Sequence, residues 1–304
     1  MKKLLYLFFF ISFFGYSQTQ ITNDNFQEAI NTCLTTNPVD GLCSDSEYGA
    51  MPDWDVSNVT NMGAMFEYAS SFNADISNWD VSSVTNMSNM FANASSFNRD
   101  LSNWDISSVT DMKVMFAYAS SFNQSLNDWE TSNVTNMYAM FAYASSFNGD
   151  ISNWDVSSVN NMSNMFSYAS SFNGDVSNWD VSRITNMSTM FTNASSFNQP
   201  LNDWDVSSVT DMYAMFANAS SFNRDLSNWD VSSVTEMRVM LGNSALSTEN
   251  YDALLNGWSQ QNIQSNVTLG AQFLSYCNGE DARQSLIDNH NWIISDDGLD
   301  CSTA

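Results

Sequence analysis

Eight tryptophans recur at intervals of 25 residues, and no other feature constrains the fold of this chain as strongly. They are Trp54, Trp79, Trp104, Trp129, Trp154, Trp179, Trp204 and Trp229. A fixed period of this length is typical of proteins in which each unit forms one layer of a stack. A 25-residue unit cannot bury its own apolar side chains, so neighbouring units must cover one another. The sequence therefore predicts a solenoid of eight units.

The second half of each unit has helical spacing. In the second unit the apolar residues fall at i, i+3, i+4 and i+7 of one stretch, namely Met87, Met90, Phe91 and Ala94. This spacing places them on one face of a helix. Thr85 precedes the stretch as a suitable N-cap residue. We therefore expect a helix of two to three turns over residues 86–94 and over the matching residues of the other units.

The first half of the unit alternates as a short strand does. Trp79 is expected to point inward, Asp80 outward and Val81 inward, which predicts a strand within residues 76–81. The spacing Ile76-x-x-Trp79-x-Val81 also matches the L-x-x-L-x-L segment of a leucine-rich repeat. The Asn that normally follows this segment is absent. We expect a buried amide ladder to be formed instead by Asn73, Asn98, Asn123, Asn148, Asn173, Asn198 and Asn223.

The whole unit, written F-N-x-D-[IL]-S-x-W-D-V-S-x-V-T-x-M-x-x-M-F, resembles the BspA-like leucine-rich repeats of bacterial surface proteins of the mycoplasma and Bacteroidetes type. The resemblance covers residues 50–241. It implies an α/β solenoid with short parallel strands on one face, short helices on the other, and a cap at each end. It also implies an exported, surface-associated protein that acts in adhesion or recognition. It brings no catalytic residues.

The flanking segments divide the chain into four parts. Residues 1–17 carry two lysines, an apolar run and small residues, which predicts a signal peptide cleaved near Ser17. Residues 18–49 form an N-terminal cap, 50–241 the eight repeats and 242–304 a C-terminal cap. The stretches NFQEAINTCL, NYDALLNGW and DARQSLIDNHNWII predict helices in the caps. No second long apolar segment follows, so no membrane span is expected.

The four cysteines all lie outside the repeats. In an exported chain they predict two local disulfides, Cys33–Cys43 and Cys277–Cys301. A metal site is the rival interpretation, but the spacing fits no zinc pattern and no histidine accompanies the cysteines.

The formal charge of −25 limits the class of partner. Such a surface repels nucleic acid and anionic membranes, and it suits cations or basic segments. Solubility alone is an equally valid reason for the charge. The acidic residues form a column at the predicted strands, namely Asp55, Asp80, Asp105, Glu130, Asp155, Asp180, Asp205 and Asp230. We name Asp80, Asp105, Glu130, Asp155, Asp180 and Asp205 as candidate ligand-binding residues.

A second set of acids lies five residues before this column in most units. Like charges stacked in a parallel sheet repel one another, so something must offset the repulsion. One interpretation is local, because Asp shapes turns by accepting hydrogen bonds from the backbone two residues on. The other is Ca²⁺ binding by carboxylate pairs. The candidate metal ligands are Asp75, Asp80, Asp100, Asp105, Asp150, Asp155, Asp175 and Asp180.

One column of the predicted helices alternates between Tyr and Asn. Tyr118, Tyr143 and Tyr168 occupy consecutive units, and Tyr68 lies two units earlier, with Asn93, Asn193 and Asn218 in other units. Exposed, this row of rings is a candidate for contacting sugars or a protein. The alternative is that the rings pack half-buried against their neighbours.

These features favour a non-catalytic recognition or adhesion protein that is secreted or held at the cell surface. The expected partner is an extracellular protein or glycan on the acidic face, with no cofactor other than a Ca²⁺ ion. The alternative is a structural surface protein that binds divalent cations or mineral. An enzyme is not expected, because the carboxylates recur in every unit, the sole histidine is His290 in the C-terminal flank, and no G-x-S-x-G motif occurs.

Overall fold

The computed structural model describes residues 18–302, so the predicted signal peptide lies outside the described residues. The elements in chain order are α1 (Phe26–Thr36), a 3₁₀ helix (Met51–Asp53), α2 (Thr248–Trp258), β1 (Thr268–Gly270), α3 (Glu280–His290) and β2 (Ile293–Ser295). The helices predicted in the two flanks are therefore confirmed. None of the helices within residues 18–302 has the length and apolar run needed to cross a bilayer.

The eight units lie one on another as successive turns of the chain, joined by backbone hydrogen bonds. The amides of Met62 and Phe66 donate to the carbonyls of Asn86 and Met90 in the next turn, at 2.9 Å each. The amide of Met65, between them, donates to the Met62 carbonyl at 3.4 Å instead. Later turns follow the same alternation of inter-turn and local bonds. Each turn is thus tied to the next along this side of the stack.

The helix predicted over residues 86–94 is not formed. Asn89 and Asn93 have φ values of 57° and 62°, and the matching residues of every other unit also have positive φ. The local bonds close between residues three apart, so the segment is a pair of four-residue β-turns whose third residue is left-handed, as in type II turns. Two such turns place Met87 and Phe91 on one side at a spacing of four. A period of four and the helical period of 3.6 cannot be distinguished over eight residues.

The strand predicted within residues 76–81 is also absent. The amide of Trp79 donates to the Ile76 carbonyl at 3.1 Å, and the amide of Val84 donates to the Val81 carbonyl at 2.9 Å. These two turns still direct Trp79 and Val81 inward and Asp80 outward, so the burial pattern mimics a strand. Parallel pairing occurs elsewhere in the unit, as single-residue bridges such as Asn61 to Asn86 and Asn86 to Asp111.

The predicted core is confirmed by burial. The second unit buries Trp79, Val81, Val84, Met87, Met90 and Phe91. In the other units the matching residues are likewise buried, except for the half-buried Met65, with Thr131 and Leu241 replacing Val and Phe. Each repeat tryptophan from Trp79 onward also anchors its turn to the preceding one. The Trp154 indole N–H, for example, donates to the Leu126 carbonyl at 2.8 Å, a carbonyl that also accepts the Trp129 backbone amide at 3.1 Å. The bond gives the buried indole N–H its hydrogen-bond partner.

The asparagine ladder exists, but it is exposed rather than buried as predicted. The backbone amide of Asn98 donates to Asn73 Oδ1 at 3.0 Å, and the backbone amide of Asn123 donates to Asn98 Oδ1 at 2.9 Å. Asn98 and Asn123 are exposed, and Asn73 is half-buried. The turns at this corner direct the side chains along the stack surface, where each amide oxygen reaches the next backbone.

Both ends of the stack are closed by a disulfide-bonded flank, as predicted. The bonded pairs are Cys33–Cys43 and Cys277–Cys301, and no cysteine of the described chain is free. At the first turn, α1 lays Phe26 against the Trp54 and Trp79 rings, at centroid distances of 6.3 and 5.7 Å. At the last turn, β1 continues the inter-turn pairing through a bridge from Met237 to Leu269, and β2 then pairs with β1 in parallel.

Candidate functional site

The acidic column lies exposed on one side of the stack, and its carboxylates are engaged in local turns. Asp80 Oδ1 accepts hydrogen bonds from the amide and hydroxyl of Ser82, at 3.1 and 2.6 Å. Asp105, Asp155, Asp180 and Asp205 accept from the serine two residues on in the same way. Glu130 accepts only a 3.3 Å bond from the Ser132 amide. The local, turn-shaping interpretation of these acids is thus confirmed.

The acids of the second set begin the preceding β-turn and accept hydrogen bonds from a serine two residues on in the same way. Asp75 Oδ1 accepts from the amide and hydroxyl of Ser77, and Asp100, Asp150 and Asp175 accept the amide of the serine two residues on. Two hydrogen bonds from the serine lower the pKa of the aspartate, and the bond from the hydroxyl has a larger effect than the bond from the backbone amide. This holds for Asp75, Asp105, Asp175 and Asp180. Within residues 18–302, no three His, Cys, Asp or Glu side chains come together in a group able to hold a metal ion.

The candidate tyrosines lie on another side of the stack, at the corner of the second β-turn of each unit. Tyr118, Tyr143 and Tyr168 have φ values of 60°, 61° and 59°. A left-handed residue at this turn position directs its side chain out of the turn, away from the core. The Tyr118 and Tyr143 rings stack at 4.4 Å between centroids, and Tyr143 and Tyr168 at 4.3 Å, with interplanar angles of 6°. The three rings form one column of parallel plates.

These rings are exposed as well as stacked. The exposed fraction is 48% for Tyr118, 38% for Tyr143 and 43% for Tyr168. The middle ring is the least exposed because a neighbour covers each of its faces. Partial burial raises the pKa of the Tyr143 hydroxyl, and the hydroxyls of Tyr118 and Tyr168 raise it further. The structure thus combines the two sequence interpretations, since the rings pack on one another and still face solvent.

The tyrosines line one wall of a shallow trough that runs along the turns, with a volume of about 1200 Å³. We call this feature the tyrosine trough. One wall consists of the turn-corner residues Tyr68, Asn93, Tyr118, Tyr143, Tyr168, Asn193, Asn218 and Asn243. The other consists of Ser70, Ser95, Ser120, Ser145, Ser170, Ser195 and Ser220. No charged residue lines the trough, although the chain as a whole carries a charge of −25.

The serine wall was missed by reasoning from the sequence. Ser95 Oγ donates to the Ser70 carbonyl at 3.2 Å, and Ser120 Oγ donates to the Ser95 carbonyl at 3.4 Å. The donated hydrogen is used within the stack, so the hydroxyl oxygen stays available as an acceptor. The A-S-S-F motif of the first seven units was the available signal, but a predicted helix gave no reason to place these serines beside the tyrosine column. The structure places no acid of the acidic column in the trough.

Comparison with known proteins agrees with the repeat organisation. A family model described as "Mycoplasma protein of unknown function, DUF285" matches residues 42–154 and 138–258. The chain matches no curated protein and no solved structure. The two matched stretches together span the turns and the start of the C-terminal flank, well over half of the sequence. The chain therefore belongs to the DUF285 family of Mycoplasma-type repeat proteins.

Proposed function

We propose that this chain is a non-catalytic recognition protein, secreted or held at the cell surface, that binds an extended partner along the tyrosine trough. The single observation that carries the proposal is the trough itself. Eight turns present aromatic, amide and hydroxyl groups in one continuous line. A regular surface that repeats the same chemistry is what stacked-repeat proteins offer to long ligands. Tyrosine and asparagine also combine apolar contact with hydrogen bonding, as recognition surfaces require.

The backbone of the trough supports the same proposal. Positive φ is uncommon in residues other than glycine, and in bulky residues it costs conformational free energy. Tyr118, Tyr143 and Tyr168 occupy this conformation although Asn, found there in other turns, accepts it more readily. Residues held in such conformations cluster at functional sites. We infer that the tyrosines serve binding rather than folding.

The setting of the protein is part of the proposal. The two disulfides are consistent with an oxidising, extracellular compartment. The resemblance to the BspA-like repeats of bacterial surface proteins favours adhesion or recognition there. The acidic face remains the other surface proposed for binding, but its aspartates already hold their own turns through one oxygen. For this reason we assign the partner to the trough.

A binding screen with three variants tests the proposal. The purified chain is applied to arrays of neutral glycans, acidic glycans and peptides, and the affinity of each hit is measured. Replacing Tyr118, Tyr143 and Tyr168 together by Ala is expected to weaken binding by about tenfold or more, as loss of aromatic anchors does. The matched control is Tyr138→Ala with Tyr213→Ala, since both are 40% exposed and lie outside the trough.

The third variant, Asp155→Asn with Asp180→Asn, examines the acidic face. Binding that survives loss of the trough tyrosines and disappears in this variant would move the working surface to the acidic column. Binding that no variant changes, or the absence of any hit, would contradict the proposed function altogether.

A further inference from the structure

The tyrosine column is interrupted at one turn, and the interruption leaves two ring faces uncovered. Asn93 stands between Tyr68 and Tyr118 on the same wall of the trough. The face of Tyr118 toward Tyr143 is covered, and no aromatic ring within residues 18–302 covers its other face. Tyr68 is 72% exposed, the highest value among the four tyrosines of the column. Its φ of 62° matches the 60° of Tyr118, so the same backbone presents both side chains.

We propose that this gap is a binding slot for one hexose ring of a neutral glycan, a proposal that rests on the proposed function of the trough. The slot spans two turns, and adjacent stacked rings in the column lie 4.3–4.4 Å apart. A flat group placed where the missing ring would stand therefore lies within one stacking step of Tyr118 and faces Tyr68 on its other side. The C–H face of a hexose suits the electron-rich face of an aromatic ring.

The polar groups of the slot suit sugar hydroxyls. Within the described chain the side-chain amide of Asn93 forms no hydrogen bond, while its backbone amide donates to the Ala117 carbonyl at 2.8 Å. The free amide thus offers two donors and an acceptor at the base of the slot. On the opposite wall, Ser95 Oγ uses its hydrogen within the stack and keeps its oxygen as an acceptor. Ligand pockets typically pair apolar walls with a few such placed polar groups.

The uncharged lining of the trough and the negative charge of the whole chain both favour a neutral ligand. The lining of the trough carries no charge, so nothing there compensates an ionic group of the ligand. The surrounding charge of −25 disfavours sulfated, phosphorylated or uronic-acid polymers. The shape of the slot favours a sugar ring over an extended peptide, because the slot is a single gap between Tyr68 and Tyr118, whereas an extended peptide alternates its side chains to opposite sides.

One substitution made at two places tests the slot. Asn93→Tyr supplies the missing ring and fills the slot, and the backbone tolerates it because Tyr118 has the same φ. We expect its affinity for neutral linear oligosaccharides to fall by about tenfold or more. Asn218→Tyr places a ring two turns from Tyr168 with Asn193 between them, which builds a second Tyr–Asn–Tyr slot. We expect this variant to bind two hexose units where the original chain binds one.

Titration calorimetry with neutral oligosaccharides of glucose, mannose and N-acetylglucosamine gives affinity and stoichiometry for both variants. A general effect of adding a tyrosine to the trough would move both variants in the same direction, whereas the slot requires opposite changes. Binding that depends on the trough tyrosines but ignores Asn93→Tyr would overturn the slot and leave the proposed function standing. Slot-dependent binding of an arginine-rich peptide instead of the sugars would overturn the glycan.

Discussion

The acidic face and the tyrosine trough are built on the same turns, but they use their side chains in different ways. On the acidic face nearly every turn carries Asp followed two residues later by Ser, and the two are bonded to each other. In the trough the turn-corner residue switches between Tyr and Asn while φ stays near 60°. The first pattern is required by the fold of each turn. The second is not, so the choice of side chain there is free to serve a ligand.

The largest loss of stability is expected from a substitution in the core beneath the acidic face, and a much smaller loss from one in the trough. Trp154→Ala should lower the free energy of unfolding by roughly 3–5 kcal/mol, since it leaves a cavity and removes the indole hydrogen bond to the Leu126 carbonyl of the preceding turn. Tyr143→Ala in the trough should cost much less, because that ring is 38% exposed. Chemical denaturation followed by circular dichroism measures both variants. Equal losses would mean that the trough column is as structural as the tryptophan column.

A smaller loss of stability is expected when the aspartate–serine hydrogen bonds of the acidic face are removed. Ser107→Ala removes the 2.6 Å bond from Ser107 Oγ to Asp105 and should cost about 1 kcal/mol at neutral pH. Ser108→Ala is the matched control, because within the described chain the Ser108 hydroxyl forms no such bond. Denaturant titrations of the two variants and the original chain compare the costs. A loss in the control equal to that in Ser107→Ala would contradict the role of the bond.

This cost should depend on pH in a defined direction. The Ser107 bond lowers the pKa of Asp105 in the folded chain, whereas the unfolded chain keeps a value of about 3.9. The stabilisation is therefore complete above the unfolded value and is lost as the pH falls through the lower folded value. The difference between Ser107→Ala and the original chain should shrink in acid. An NMR titration should also show a higher pKa for Asp105 in the variant.

A stabilising change is expected at a turn corner that carries an unsuitable residue. Thr189 has a φ of 57°, and the same position holds Asn in the turns of Asn89 and Asn164. Thr189→Asn should raise the free energy of unfolding by about 0.5–1 kcal/mol, because β-branched residues fit the left-handed region poorly. Thr192 belongs to the same unit, has no positive φ, and donates its hydroxyl to the Ala214 carbonyl, so Thr192→Asn should bring no gain. Thermal denaturation ranks the pair, and a gain in both would point to a surface effect instead.

The smallest effect is expected from calcium. We expect Ca²⁺ and NaCl at equal ionic strength to shift the melting temperature alike, because one oxygen of each engaged aspartate already holds its serine. A larger shift with Ca²⁺, abolished by Asp155→Asn with Asp180→Asn, would establish the cation site predicted from the sequence. In that case the acidic face, too, would have a function beyond the turn.

The sequence predicted which residues are buried far better than how the backbone places them. Trp79, Val81 and Phe91 are core residues because they are apolar and recur, and that holds for any backbone of the right period. The helix was inferred from a spacing that paired β-turns reproduce. With a helix in place of turns, the outward direction of Tyr143 and its neighbourhood to the serines could not be derived. The trough depends on left-handed residues, which no periodicity reveals.

The alternation of inter-turn bonds also bears on how such a chain changes length over generations. The backbone amides of each turn donate to carbonyls of the next turn, as those of Met62 and Phe66 do, and its own carbonyls accept the matching amides of the turn before. Deleting or duplicating a whole 25-residue unit by unequal recombination therefore leaves every bond intact, whereas any other length shifts the register. The length of the stack, and with it the length of the tyrosine trough, can thus be increased or reduced in whole steps without a new fold having to be found.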